Sequence, residues 1–145
     1  MDNKRVANIF VAFRKLLRNY TDFQLEELKD FNLTPNEISV LSAVSDFSMA
    51  SDIAANVCVS KALVSRSVKE LKEKGLIVST ISEVDKREQR LELTEQGERV
   101  AMLIEEINDR FFRIVFDGIG ETEQEVLDAL LRLTSKNLDD AKRYY

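Results

Sequence analysis

The chain has 145 residues, 44% of them hydrophobic, with one cysteine, no histidine and a formal net charge of −5. That length and apolar content suit one core-forming domain or compact protomer, no apolar run is long enough to span a bilayer, and a single cysteine excludes an intrachain disulfide framework. Without histidine, a glycine-rich phosphate loop or a nucleophile elbow an enzyme is not expected; Glu105, Glu106 and Asp109 on one helix read as a solvated face rather than a metal site, and Glu121, Glu123 and Glu125 as acids favouring a helix N-terminus, so no cofactor is expected either.

Residues 1–19 are interrupted by Arg14, Lys15 and Arg18 and so lack the apolar core of a signal peptide, which makes a cytoplasmic location the expectation. A first helix is predicted from about Asn3 to Lys29, with Val6, Phe10, Phe13, Leu17 and Tyr20 on one stripe. It is not needed to close the small domain that follows and is expected to pack elsewhere. Leu33-Thr34-Pro35-Asn36-Glu37-Ile38 is a helix start: Thr34 as N-cap, Pro35 in the first turn, Glu37 as capping-box partner and Leu33 stapled onto Ile38. This second helix ends near Asp46. A third runs from about Ser51 to Val57, with Ile53, Ala54 and Val57 inward, and Cys58-Val59 turns into the next. Cys58, between two valines and without a partner cysteine in its chain, is not expected to be a redox switch.

Ser60 and Gly75 bracket a fourth helix as N-cap and left-handed terminator. Leu63, Val64, Val68 and Leu71 fall on one side; Lys61, Ala62, Ser65, Arg66, Lys69 and Lys72 fall on the other. Cations mixed with small side chains suit a helix seated deep in a groove. Lys72, Glu73 and Lys74 read as a solvated face. After Gly75 the period changes: β-branched residues from Leu76 to Ile81, and Leu91 and Leu93 alternating with Arg90 and Glu92, predict a hairpin whose tip, Ser82 to Gln89, is too charged to be buried. Short helix, tight turn, capped helix and hairpin together make a winged helix-turn-helix.

Thr94 caps a fifth helix through Val100, Leu103, Ile104 and Ile107 to Phe116, Gly118 and Gly120 mark the break, and a last helix starts at Thr122 with Val126, Leu127, Leu130, Leu131 and Leu133 on its stripe. Phe10, Phe13, Phe111, Phe112 and Phe116 lie in the flanking helices. Those stripes predict a helical homodimer interface including Val6, Phe10, Phe111, Phe112, Phe116 and Leu130. The charge is segregated: residues 1–20 carry +4, 21–59 carry −6, 60–90 carry +3 and 91–145 carry −6. A local basic face on an acidic protein can still release counterions from DNA phosphate.

V-S-R-S-V-K-E-L-K-E-K-G-L from Val64 to Leu76, D-K-R at Asp85 to Arg87, then Leu93-Thr94 and Gly97, make the chain resemble the MarR family of bacterial transcription regulators over nearly its whole length. Ser79 stands where that family often has arginine, and Cys58 where a turn glycine is usual. The resemblance implies a mainly α fold with a small β-hairpin wing: a winged helix-turn-helix DNA-binding lobe over residues 34–93, flanked by dimerisation helices over 1–30 and 100–145. It implies a sequence-specific regulator, an effector-responsive repressor that holds a pseudo-palindromic operator in double-stranded DNA as a homodimer. A winged-helix protein acting through protein contacts without DNA stays open as the alternative. On the DNA side, which also includes Ser60, Arg66 is the candidate for a base edge with Ser65 and Ala62 beside it, Lys61 and Lys69 lie toward phosphates, and Lys86, Arg87 and Arg90 belong to the wing, with Arg87 matching the family's minor-groove arginine. Asp85 is placed to hold the wing by pairing with a neighbouring arginine, Arg90 being one candidate. A small aromatic effector is also implied, near Phe13, Leu17, Phe47 and Met102, four residues that read equally well as core.

Overall fold

The structure, a computed structural model, describes residues 1–81 and 83–144, which form two compact units, residues 1–111 and 112–145. In the first unit, Asp2 opens helix α1 (Asn3–Glu27) by accepting the backbone N–H groups of Lys4 and Arg5 at 3.0 and 3.2 Å. A 3-10 turn (Lys29–Phe31) and the left-handed Asn32 lead into α2 (Pro35–Val44). The capping box is present as expected: the Thr34 hydroxyl accepts the Glu37 N–H at 3.2 Å, and the Glu37 carboxylate accepts the Thr34 N–H at 2.8 Å. α3 (Ala50–Asn56) and α4 (Lys61–Glu73) form the helix-turn-helix, and strands β1 (Ile77–Ile81) and β2 (Gln89–Leu93) pair antiparallel with Ile77 opposite Leu93 and Ile81 opposite Gln89. α5 (Glu95–Val115) follows, and α6 (Glu121–Lys142) lies in the second unit. Ser82, the first residue of the expected wing tip, lies outside the described residues.

One apolar cluster holds the first unit together. Ile38, Val40 and Leu41 from α2, Ile53 from α3, Val64, Val68 and Leu71 from α4, Leu76, Ile77 and Leu91 from the wing, and Val100, Ile104 and Ile107 from α5 are all at most 3% exposed. At about 1.5–3 kcal/mol per fully buried aliphatic side chain, this cluster is the main stabilising term. Leu28, at the end of α1, is also in it, with Phe23 and Leu25 packed alongside. The first helix therefore does not pack elsewhere along its whole length: its last turns close the lobe. They also meet α5, where Tyr20 and Phe23 pack on Phe111 with ring centroids 5.0 and 5.4 Å apart, Gln24 donates to Asn108 at 2.8 Å and Arg110 pairs with Glu27 at 2.8 Å.

Three other expectations are corrected. Phe111 was assigned to a surface shared with a second copy, yet it is 7% exposed because Tyr20 and Phe23 of its own chain cover it. Leu63 is 36% exposed, since it sits about 90° round the helix from the centre of the buried stripe, and Ser67 takes the inward place instead. Cys58 is exposed rather than set among its valine neighbours, because its φ of 55° turns the chain outward between α3 and α4.

Candidate nucleic-acid interface

Two elements build the surface. Ser60 caps α4 by accepting the Leu63 N–H at 3.2 Å, so the helix begins with its first turn free of neighbours, and Ser60, Lys61, Ala62, Ser65, Arg66 and Lys69 are all exposed. The wing supplies the second element. At its tip the Asp85 carboxylate accepts the backbone N–H of Arg87 at 3.0 Å while the Asp85 carbonyl accepts the Glu88 N–H at 3.0 Å, which shapes a turn that presents Lys86 and Arg87 outward. Asp85 thus acts on the wing through the backbone of Arg87. Arg90, on β2, lies opposite Thr80 and forms an isolated bridge with Met49, and the Leu91 N–H donates to the Ser48 carbonyl at 2.7 Å. These bonds tie the hairpin to the segment before α3. A hollow of about 190 Å³ opens between the two elements, with Lys61 and Ser65 on one wall, Arg87 and Gln89 on the other, and Ser51 from α3 at its edge.

The opposite end of α4 is clamped. Gly75 (φ 72°) ends the helix, and the Lys74 ammonium just before it donates to the Glu37 carboxylate at 2.6 Å and to the Asn32 carbonyl at 2.7 Å. Glu37 is 2% exposed. Burial pushes its carboxyl up, but the hydrogen bonds from Lys74 and Thr34 and the Lys74 charge outweigh that and hold its pKa below the ordinary carboxylate value. Lys74 is therefore no solvated lysine. The overlooked signal was that a buried capping-box glutamate has a second oxygen to satisfy, and a cation at a helix C-terminus is well placed to do so. On the far side of Gly75 the Thr94 hydroxyl donates to the Gly75 carbonyl at 2.7 Å and accepts the Gly97 N–H at 3.0 Å. Gly97 lets α5 approach so closely that a Cβ there would lie 1.9 Å from the Leu76 carbonyl oxygen.

A sequence model of the MarR family matches residues 31–88, the segment from the turn before α2 to the wing tip. The chain is 25% identical over 132 residues to the HTH-type transcriptional regulator SarZ of Staphylococcus epidermidis, covering 90% of this chain and 86% of that one. By the family match, residues 31–88 carry the MarR-family pattern. The chain's fold is that of solved MarR-type structures: a MarR protein from Peptoclostridium difficile superposes with a TM-score of 0.83 at 24% identity over 92% of this chain and 89% of the other. The transcriptional repressor CouR, solved bound to a 23-mer DNA duplex, does so with 0.71 at 20% identity over 86% and 89%. The family match and the relative together support a DNA-binding transcription regulator. No helix among the described residues is long and apolar enough to cross a membrane.

A second feature is a cleft of about 360 Å³ at the junction of α1, α2, α3 and α5. Phe47, Ile38, Ala43 and Val57 give it apolar walls, and Tyr20, Gln24, Ser42, Asp46, Asn56 and Asn108 are among the groups that make it polar. Of Phe13, Leu17, Phe47 and Met102, only Phe47 lines it. Phe13 is half-buried, while Leu17 and Met102 are each 62% exposed; Met102 lies on the side of α5 opposite its buried face. Burial raises the pKa of Tyr20 and keeps its phenol neutral.

Proposed function

We propose that the protein is a homodimeric, effector-responsive repressor of a pseudo-palindromic operator, working in the cytoplasm. Residues 34–93 form the reading lobe, and the helices of residues 1–30 and 100–145 join the two copies. In this reading α4 enters the major groove, Arg66 reads a base edge with Ala62 and Ser65 lying close to it, and Ser60, Lys61 and Lys69 meet phosphate. Lys86 and Arg87 at the wing tip enter the flanking minor groove, supported by Asp85, with Arg90 at the wing's base toward the backbone. The observation that carries the reading is the exposed basic face of α4, Lys61, Arg66 and Lys69, together with the exposed Lys86 and Arg87 of the wing tip, with Lys61 and Arg87 lining one hollow beside Glu88. A wing serving only protein contacts has no use for two cations projecting at its tip.

Dimerisation is supported by apolar side chains that the protomer leaves uncovered. On α1, Phe10 is 66% and Val11 60% exposed; α6 buries no residue, and Val126, Leu130, Leu133 and Leu138 are each more than half exposed. A monomer in water would not keep such stripes open. Val6 and Phe116 are half-buried and Phe112 is 42% exposed, so each remains available to the same interface. The cleft bounded by α1, α2, α3 and α5 is the proposed effector site, since a ligand there touches both the helices that join the copies and α2 and α3, on which α4 packs.

The test is operator affinity on a sequence selected from a random DNA pool, measured across a salt series. Arg66→Ala is expected to cost about 1–3 kcal/mol per half-site and to relax preference at one base position; Lys69→Ala weakens all sequences alike and lowers the salt slope by about 2 per dimer. Arg87→Ala loses most on A·T-rich flanks. Wild-type binding by both arginine variants would overturn the DNA mechanism and favour the protein-contact alternative.

A further inference from the structure

The cleft at the α1, α2, α3 and α5 junction carries a charge pattern that restricts what it can hold. No lysine or arginine lines it. Asp46, just past the end of α2, does line it, and its carboxylate enters no hydrogen bond or ion pair among the described residues; only its backbone N–H is engaged, to the Ala43 carbonyl at 3.0 Å. Deeper in, Gln24 gives its amide N–H to the Asn108 side-chain oxygen at 2.8 Å. That bond leaves Gln24 with an oxygen to offer and Asn108 with an N–H. Asn56 likewise donates its amide to the Asp52 carbonyl at 2.8 Å and keeps its oxygen. The lining thus offers both donors and acceptors, and its one formal charge, on the exposed Asp46, is negative. A ligand anion placed here would meet a like charge, with no lysine or arginine of the lining to offset the loss of its water.

We infer that this cleft selects against anions and takes a neutral or cationic ligand with a flat apolar ring against Phe47 and N–H groups directed to Asp46 and Gln24. The inference rests on reading the cleft as the effector site, and it narrows that site to amine, amidine or amide chemistry, excluding aromatic carboxylates.

Benzamidinium, benzamide and benzoate share one ring and differ in charge, so they isolate the point. Each is titrated into the full-length protein at pH 7, with binding read by ligand-observed NMR. The expected order is benzamidinium, then benzamide, then benzoate, with about a tenfold gap between the last two. Asp46→Asn removes the advantage of benzamidinium over benzamide while leaving benzamide bound; Ser39→Trp, a bulky residue at an exposed position of the lining, weakens all three. Benzoate binding as tightly as benzamide would mean that a cation reaches the cleft from elsewhere, such as a second copy, and would overturn the inference. So would absence of binding by all three up to roughly 10 mM, or affinities unmoved by both variants, which would put the ligands elsewhere. Operator affinity of the same proteins without ligand is a separate readout. Its loss in the wild type would sink the regulator reading and leave the charge order of the cleft intact.

Discussion

The winged-helix lobe and the terminal helices use similar side chains to opposite ends. In the lobe, Val64, Val68, Leu71, Ile77, Leu91 and Ile104 are each at most 2% exposed. On the first half of α1 and along α6, residues of the same kind, such as Ile9, Leu17, Leu130 and Leu133, are 47% to 62% exposed. An amphipathic stripe therefore says that a helix has a partner without saying whether that partner lies in the same chain. α1 contains both cases: Gln24 and Leu28 near its end are buried by the lobe, while Phe10 and Val11 near its start are not.

The strongest way to break the contrast is to make the exposed stripes polar. Phe10→Asp combined with Leu130→Asp is expected to leave the lobe folded, with its helical signal intact, and to convert a dimer to a monomer in sedimentation. Operator affinity then drops by roughly 100-fold or more, because the second half-site is no longer engaged at high effective concentration. A double variant that sediments as the wild type would remove the interface from those faces.

A smaller effect is expected at the clamp behind α4. Glu37→Gln leaves the Lys74 ammonium without its carboxylate, at a cost of about 2 kcal/mol, toward the low end for broken buried pairs because Lys74 still reaches water. Since the pKa of Glu37 is lowered in the folded state, its contribution is complete above the ordinary value of 4.5 and is lost as pH falls through the folded value. Wild type and variant should therefore differ in denaturant midpoint at pH 7 and converge in acid. A gap that stays constant down to pH 3 would show that the ion pair is not its source.

The smallest expected change is at the turn. Cys58 holds φ at 55°, where a non-glycine residue costs about 1–2 kcal/mol, against about 0.5–1 kcal/mol for the extra freedom glycine brings to the unfolded chain. Cys58→Gly should raise stability by about 0.5 kcal/mol with operator affinity unchanged, checked by chemical denaturation. Lower stability in the variant would mean that the cysteine side chain makes contacts worth more than the strain.

Much of the winged-helix lobe was legible in the sequence, because its determinants are local. Ser60 as cap, Gly75 as terminator, the Thr34 and Glu37 capping box and the change of period after Gly75 are written within a few residues of where they act, and each appears where expected. The hidden features join positions far apart in the chain. Lys74 meets Glu37 and Asn32 across 37 and 42 residues, and Gln24 meets Asn108 across 84. Nothing in the local pattern distinguishes a lysine that closes a buried pair from its solvated neighbour Lys72.

By itself the sequence determined the order of elements, the caps, the split of α4 into a buried stripe and a basic face, and the family, because helix periodicity and backbone capping are properties of short stretches. Only the tertiary structure decided that Phe111 belongs to the protomer, that the end of α1 completes the lobe and that the cleft carries Asp46 with no cation beside it. Those facts depend on which faces meet when α1, α2 and α5 pack, and packing is settled by the joint shape and burial of residues that the chain keeps far apart.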